Sequence, residues 1–175
     1  MGTHVALLHS IVLGPGRRVV MAELKAMAER LGFANARTLV ATGNLVFDAE
    51  EAALSTLENR LEAAFRQTFG KHVDIILRRA DAWKRLASGN PFPGNDGANV
   101  CVRVMREPLG PAALEKLETL AAPELRLALV DGDLWIDFRG KPSETKLLSH
   151  LTTKKLGIGT LRNANTVNGL AAMLD

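Results

Sequence analysis

The order of the predicted elements is the feature that most constrains the fold of this 175-residue chain. Hydrophobic periodicity and turn residues predict the order β-α-β-β-α-β, and the same order then begins again. The interval from Leu24 to the turn at Gly43 nearly equals the interval from Leu114 to the turn at Gly132. The two halves share negligible sequence identity, so the repeat is one of structure.

The first half contains all six elements of this order. "HVALLHSI" from His4 is apolar on both faces, which is typical of a central strand. "MAELKAMAERLGF" has apolar residues at helical spacing and a stop at Gly32. "ARTLVATGNLVFDA" predicts two strands around a tight type II′ turn at Gly43-Asn44. "EEAALSTLENRLEAAFRQTFG" predicts an amphipathic helix with acids at its start, and "HVDIILRR" predicts the last strand.

The second half follows a short helix, "ADAWKRLAS", and a loop, "GNPFPGNDGA". "NVCVRVM" predicts a strand and "GPAALEKLETLAA" a helix. "ELRLALVDGDLWIDF" predicts two strands around Asp131-Gly132, a strong hairpin signal. "SETKLLSHLTTKKLG" predicts a helix that Ser143 caps, "GIGTLR" a last strand, and "NTVNGLAAML" a closing helix.

This pattern predicts an α+β protein. We expect two tandem ferredoxin-like units, each a split βαβ motif with an antiparallel sheet, and a short C-terminal helix. The first unit is expected over residues 1–80 and the second, with the closing helix, over residues 99–175. Residues 81–98 are expected to form the connecting helix and loop.

The charge of the chain is weakly positive and unevenly placed. The net charge is +3, and from Arg139 onward basic residues outnumber acidic ones. A basic C-terminal segment favours anionic partners such as nucleic acid, nucleotides or phosphate. A solvated surface is the plainer explanation, because no dense run of Lys or Arg occurs.

Cysteine content and hydropathy bear on the cellular compartment. Cys101 is the single cysteine, which excludes an internal disulfide and fits a reducing cytoplasm. No secretory leader is evident, and no apolar stretch is long enough to cross a bilayer. We therefore expect a soluble cytoplasmic protein that does not bind membranes.

Four stretches of the chain resemble one bacterial family. They are "VALLHSIVLG", "MAELKAMAERLGFANARTLVATGNLVF", "PSETKL" and "RNANTV", which follow the family's order over nearly the whole chain. The family is called domain of unknown function 1697. The resemblance implies a pair of α+β ferredoxin-like units, and it implies no particular biochemical activity.

The chain departs from the family pattern at a few positions. The resemblance places Arg-Gly where this chain has His9-Ser10, Asn where it has Val12, and Trp where it has Ala164. The resemblance also places Gly-Gly where this chain has Gly14-Pro15-Gly16. If these positions hold a ligand in the family, we expect this chain to bind it differently or weakly. The positions that match, apart from Thr for Ser at position 42, are Thr42, Gly43, Asn44, Arg162, Asn163, Asn165 and Thr166.

The first unit is expected to gather loop residues at one edge of its sheet. In a split βαβ sheet, the end of strand one, the hairpin and the start of strand four share an edge. Glycine amides beside Arg and Lys can hold an anion, whereas ordinary turn chemistry is the plainer explanation. "GPG" lacks the Lys-Ser/Thr of a phosphate loop. The candidate residues are His9, Ser10, Gly14, Gly16, Arg17, Arg18, Thr42, Gly43, Asn44, Lys71 and His72.

"TLRNANTVNGL" forms a second candidate corner. Asn163 or Asn165 is placed to cap the helix that follows, and Thr166 can support its start. Capping does not explain Arg162, whose charge disfavours a helix N terminus. Two hypotheses stand. Arg162 fixes the closing helix to the other unit through a carboxylate or carbonyl, or it binds an anion together with amides of the helix.

Other chemistries have less support. His4 and His9 face opposite sides of one strand, and His72 and His150 have no carboxylate or thiol at ligand spacing. We therefore expect no metal site and no cofactor. Cys101, in an apolar strand, is a core residue rather than a nucleophile. No Gly-x-Ser-x-Gly, Cys-x-x-Cys or His-Glu-x-x-His motif occurs, and the absence of Tyr disfavours stacking of RNA bases on a sheet.

The sequence favours non-covalent binding of an anionic ligand, which is a nucleotide, phosphate or a nucleic-acid backbone. In one alternative the protein is an enzyme with His9 as general acid or base and the Gly43-Asn44 amides as electrophilic support. The Arg that the family has at position 9 counts against this, since it does not transfer protons near neutral pH. In another alternative the protein is an interaction module. Monomer and homodimer both remain open.

Overall fold

The structure of the protein, a computed structural model, describes residues 1–142 and 145–175. Ser143, which we predicted to cap a helix, lies outside the described residues. The fold is mixed α/β with antiparallel sheets, and it divides into two compact units. The first unit comprises Met1–Lys84 together with Gly169–Asp175, and the second comprises Arg85–Asn168.

The first unit follows the predicted element order, with one additional small hairpin. Its elements are β1 (Gly2–Leu8), β2 (Val12–Gly14), β3 (Arg17–Arg18), α1 (Met21–Arg30), β4 (Ala34–Thr38), β5 (Asn44–Ala49), α2 (Leu54–Phe69) and β6 (Ile75–Arg79), after which α3 (Ala80–Ser88) begins.

The main sheet of the first unit has the strand order β4-β5-β1-β6, with antiparallel neighbours throughout. Strand β1 is central, and its residues from Val5 to Leu8 are fully buried on both faces. The prediction of a central strand is therefore confirmed. Helix α2 packs on this sheet through Leu57, Leu61 and Phe65, which recur every four residues.

The connection between β4 and β5 differs from the prediction. A five-residue loop, Leu39–Gly43, joins them, and Val40–Thr42 forms a 3₁₀ turn within it. The predicted two-residue turn at Gly43-Asn44 is wrong, since Asn44 already belongs to β5. The longer loop is stabilised by the Asn44 side chain, which donates to Leu39 O at 2.9 Å.

Helix α2 also begins later than predicted. Its first residue is Leu54, so Glu50 and Glu51 precede it and its first turn contains no acid. The predicted dipole interaction is therefore wrong. Glu51 instead lies 3.7 Å from Arg79 Nε, at the end of β6.

The second unit has the same strand order as the first. Its sheet has the order β10-β7-β9-β8, again antiparallel. Asp131 and Gly132 have φ values of 51° and 85°, which confirms the two-residue hairpin predicted there. The elements are β7 (Val100–Met105), α4 (Pro111–Leu120), β8 (Arg126–Val130), β9 (Asp133–Asp137), α5 (Thr153–Leu156), β10 (Gly159–Asn163) and the start of α6 (Ala164–Ala172). The residues of α6 from Gly169 onward group with the first unit.

The long helix predicted over "SETKLLSHLTTKKLG" is wrong for the described part of that stretch. Lys146–His150 is a 3₁₀ turn, and α5 has four residues. The threonine hydroxyls start separate turns, because Thr145 Oγ1 accepts from Leu147 N and Thr152 Oγ1 accepts from Lys155 N, each at 3.3 Å.

A buried arginine holds this irregular segment. Arg103 of β7 donates to Leu151 O at 3.1 Å and to Gly157 O at 2.9 Å. These carbonyls flank α5, and a short helix leaves such groups without intrahelical partners. Burial lowers the pKa of Arg103.

His4 is a buried titratable group in the core of the first unit. Its ring is fully buried and stacks on Phe47 at a centroid distance of 5.5 Å. Nδ1 lies 3.0 Å from Gly2 O, and Nε2 has no hydrogen-bond partner among the described residues. Desolvation therefore lowers the pKa of His4 below 6.5, and nearby Arg79 acts in the same direction.

We expect His4 to reduce stability at acid pH. Below about pH 6.5 the unfolded chain binds a proton at His4 that the folded chain binds only at lower pH, so the free energy of unfolding falls as pH falls. His4→Phe keeps an aromatic ring and removes the proton site. Urea denaturation of both proteins from about pH 7.5 to about pH 5 should show a shallower loss in the variant; equal losses would contradict the assignment.

Candidate functional site

Backbone hydrogen bonds assemble one loop edge in the first unit. Leu8 N donates to Gly43 O, and His9 N donates to Asp74 O, both at 2.9 Å. The end of β1 is thereby joined to the β4–β5 loop on one side and to the segment before β6 on the other. The directions of the strands predicted that these three chain segments lie at the same edge of the sheet.

The β2–β3 hairpin arises from this edge. Val19 N donates to Ile11 O at 2.8 Å and closes its base. At its tip Gly16 has φ of 68°, and a Cβ atom on Gly14 or Gly16 would meet no atom within 4 Å. The backbone at the tip therefore faces open space. A cavity of about 450 Å³ is lined by Val12, Gly14, Pro15, Gly16, Arg17 and Arg18.

Positive charge without acidic partners is concentrated at this hairpin. Arg17 and Arg18 are exposed, and among the described residues neither forms an ion pair. Lys71, just before β6, donates from Nζ to Val12 O at 3.3 Å. This contact places a third cation at the hairpin. Because the acceptor is a backbone carbonyl, no carboxylate in the part of the chain that the structure describes neutralises the charge of Lys71.

The residues that follow β1 have different roles. His9 is exposed beside the hairpin. The Ser10 hydroxyl accepts a hydrogen bond from Val12 N at 3.1 Å, which is ordinary turn chemistry. Ser10 therefore shapes the chain where it enters the hairpin.

Thr42, Gly43 and Asn44 serve the backbone of the loop edge. Asn44 is fully buried, and its Nδ2 donates to Leu39 O at 2.9 Å and to Thr42 Oγ1 at 2.7 Å. A Cβ atom at Gly43 would lie 2.8 Å from Leu8 Cβ, and its φ is 87°. Glycine is thus required here by both space and conformation.

The "RNANT" corner belongs to the second unit and is largely structural. Asn163 Oδ1 accepts from Thr166 N at 2.9 Å, which confirms that Asn163 caps α6. Asn165 N approaches Gly97 O at 3.4 Å, so this corner contacts the "GNPFPGNDGA" loop. Ala164, where the family pattern has Trp, is buried.

Arg162 is buried within this corner. Its side chain is 7% exposed, and its Nη1 donates to Thr160 Oγ1 at 2.8 Å and to Leu161 O at 3.0 Å. Burial lowers the pKa of Arg162 to about 10. The contact with a carbonyl oxygen and the burial favour a structural role over binding of an anion from solvent.

A cluster that the sequence argument missed lies beside the loop edge. Glu62 of α2 and His72 and Asp74, before β6, have ligand atoms within 4.8 Å of one another. His72 Nε2 lies 2.9 Å from Asp74 Oδ1. The statement that His72 has no carboxylate at ligand spacing is therefore wrong. The sequence signal for this contact was the spacing of two positions between His72 and Asp74, which puts both side chains on the same side of an extended chain.

The single cysteine is placed as the sequence predicted. Cys101 is buried in β7, and burial raises the pKa of its thiol to about 12. A thiol of that pKa is not a nucleophile at neutral pH.

The fold and these sites define a mixed α/β protein with a cationic loop edge. The chain belongs to the family described as "Protein of unknown function (DUF1697)", whose model matches residues 1–135. Among solved structures it is similar to the conserved bacterial protein SP0830 from Streptococcus pneumoniae, at 20% sequence identity over 99% of each chain and a TM-score of 0.73. This likeness is one of fold.

No curated protein matches this chain. Across residues 1–142 and 145–175, no helix combines the length and the apolar character needed to cross a bilayer.

The structural role of Asn44 can be tested by its removal. Asn44→Ala leaves the partly buried Leu39 carbonyl without this donor, so we expect a loss of about 1–3 kcal/mol of unfolding free energy. Urea denaturation followed by circular dichroism measures it. Asn168→Ala, at an exposed helical position, is the control and should change stability by less than about 0.5 kcal/mol. Equal effects of the two substitutions would refute the role of Asn44.

Proposed function

We propose that the loop edge of the first unit binds the phosphate groups of a small anionic ligand such as a nucleotide. The observation that carries the proposal is the set of three cations at the β2–β3 hairpin, Arg17, Arg18 and Lys71, none of which pairs with a carboxylate among the described residues. Clustered cations without acidic partners beside a cavity raise the local concentration of anions, so they favour an anion from solution.

The hairpin backbone supports this proposal. Gly14 and Gly16 expose the chain at its tip, and Gly16 adopts the left-handed conformation that occurs in backbone nests for anions. The arginines can donate two parallel hydrogen bonds to phosphate oxygens, whereas Lys71 supplies a point charge.

A small ligand is favoured over a nucleic-acid strand. The cavity of about 450 Å³ lies in the range of small-molecule sites. A nucleic-acid backbone needs cations spaced along a track, and here they are confined to one hairpin and its neighbour Lys71. His9 and Ser10 directly precede the hairpin in the chain, and we propose that His9 contacts the part of the ligand beyond its phosphates.

The wider organisation is part of the same proposal. We infer that both units are ferredoxin-like, which is supported by one shared order of antiparallel strands. We propose residues 1–80 and 99–175 as the core of each unit, joined by residues 81–98. A cytoplasmic location is supported by the single buried cysteine, Cys101. The protein is proposed to act as a monomer or homodimer.

Binding can be tested with pyrophosphate and ATP as probes. We expect each probe at millimolar concentration to raise the melting temperature and to give saturable binding in calorimetry. The double variant Arg17→Ala/Arg18→Ala removes two charged donors, so it should bind at least about tenfold more weakly. Arg126→Ala, which removes an exposed arginine from β8, is the matched control and should bind as the unchanged protein does.

Three results would contradict the proposal. One is the absence of any melting shift with both probes, and another is equal affinity of the double variant and Arg126→Ala. The third is binding of single-stranded RNA, with a steep loss on added salt, by a protein that binds neither small probe.

A further inference from the structure

Glu62, His72 and Asp74 form the densest group of potential metal ligands among the described residues. Each offers one ligand atom, and these atoms lie within 4.8 Å of one another. They come from two elements of the first unit. Glu62 belongs to α2, and the other two belong to the short extended segment that enters β6.

The backbone fixes the direction of this segment. Helix α2 ends at Gly70, whose φ of 76° reverses the chain and whose N–H donates to Arg66 O at 2.8 Å. Val73 and Ile75 are then buried in the core. Because side chains alternate along an extended chain, His72 and Asp74 both point away from that core and toward Glu62.

The glutamate is held in place independently. Glu62 Oε2 accepts a hydrogen bond from Ile75 N, the first residue of β6, at 2.9 Å. This bond ties α2 to the same segment that carries the other two groups. A carboxylate that accepts one hydrogen bond keeps further lone pairs with which it can bind a metal ion.

We propose that Glu62, His72 and Asp74 bind a divalent transition-metal ion of the zinc type. The ligand set is one imidazole nitrogen and two carboxylate oxygens, and the imidazole favours Zn²⁺ or Co²⁺ over Mg²⁺ or Ca²⁺. With bonds of about 2.0–2.1 Å, tetrahedral ligands lie about 3.3 Å apart. His72 Nε2 and Asp74 Oδ1, at 2.9 Å, need only small rotations to reach that separation.

The exposure of the group determines what kind of metal site it is. His72 is exposed, and Glu62 and Asp74 are half-buried, so solvent reaches the centre of the cluster. Three protein ligands in an accessible position leave a coordination site for water or an added ligand, as in catalytic rather than structural zinc sites. The two positive charges of the metal ion also neutralise the two carboxylates.

This proposal goes beyond anion binding at the hairpin and does not depend on it. It is tested with metal salts alone, in the absence of phosphate compounds. Untagged full-length protein is first stripped with a chelator. We expect one Co²⁺ per chain to bind with the visible absorption of a four-coordinate ion, Zn²⁺ to displace it, and both metals to raise the melting temperature.

Two conservative variants keep the fold while removing ligands. Glu62→Gln retains an oxygen that accepts from Ile75 N, and Asp74→Asn retains a hydrogen-bond partner for His72. We expect each variant, and His72→Ala, to weaken Co²⁺ binding at least about tenfold while the circular dichroism spectrum stays unchanged. His150→Ala, which removes a histidine outside the cluster, should leave binding intact.

The proposal is overturned by protein that binds no Co²⁺ or Zn²⁺ near neutral pH. It is equally overturned if Glu62→Gln, Asp74→Asn and His72→Ala bind the metals as well as His150→Ala does, since the ions then bind elsewhere. Binding of Mg²⁺ without Co²⁺ also excludes it. Weaker binding at acid pH supports it, because the histidine ligand must be neutral.

Discussion

Two backbone hydrogen bonds at the end of β1 hold together the loop edge of the first unit. Leu8 N to Gly43 O and His9 N to Asp74 O fasten the end of the central strand on both sides. The β2–β3 hairpin leaves the sheet immediately after this point, so its base is attached to a strand whose residues from Val5 to Leu8 are fully buried. A site built on such a rigid element keeps its geometry when a ligand binds.

The polar motifs that attract notice in the sequence are mostly occupied by the protein itself. Asn44 and Asn163 saturate backbone groups that would otherwise lack partners. Arg162 is buried against the hydroxyl and carbonyl oxygens of its own strand. The groups left to face solvent, Arg17 and Arg18, sit in a hairpin whose sequence has no recognised motif. The proposed binding site therefore depends on unpaired charge rather than on polarity alone.

Local patterns were enough to predict most elements, and their failures have local causes. The Asp131-Gly132 hairpin was predictable because both residues adopt positive φ in a two-residue turn. Gly43 was misjudged because its neighbour's side chain, Asn44, stabilises a longer loop. The contact between His72 and Asp74 could have been predicted, because residues two positions apart on an extended chain lie on the same side. The approach of Glu62 was not, because it depends on how α2 packs against β6.

The direct passage from β10 into α6 has a consequence for length variation along the chain. Strand β10 ends at Asn163, and α6 begins at the next residue, so no spacer absorbs a change in length. One inserted residue would turn the helix by about 100°, which is the angular step of an α-helix. Val167 and Leu170, both fully buried, would then leave their positions. The junction therefore fixes how the last helix is rotated about its own axis. It tolerates substitutions but no insertion or deletion.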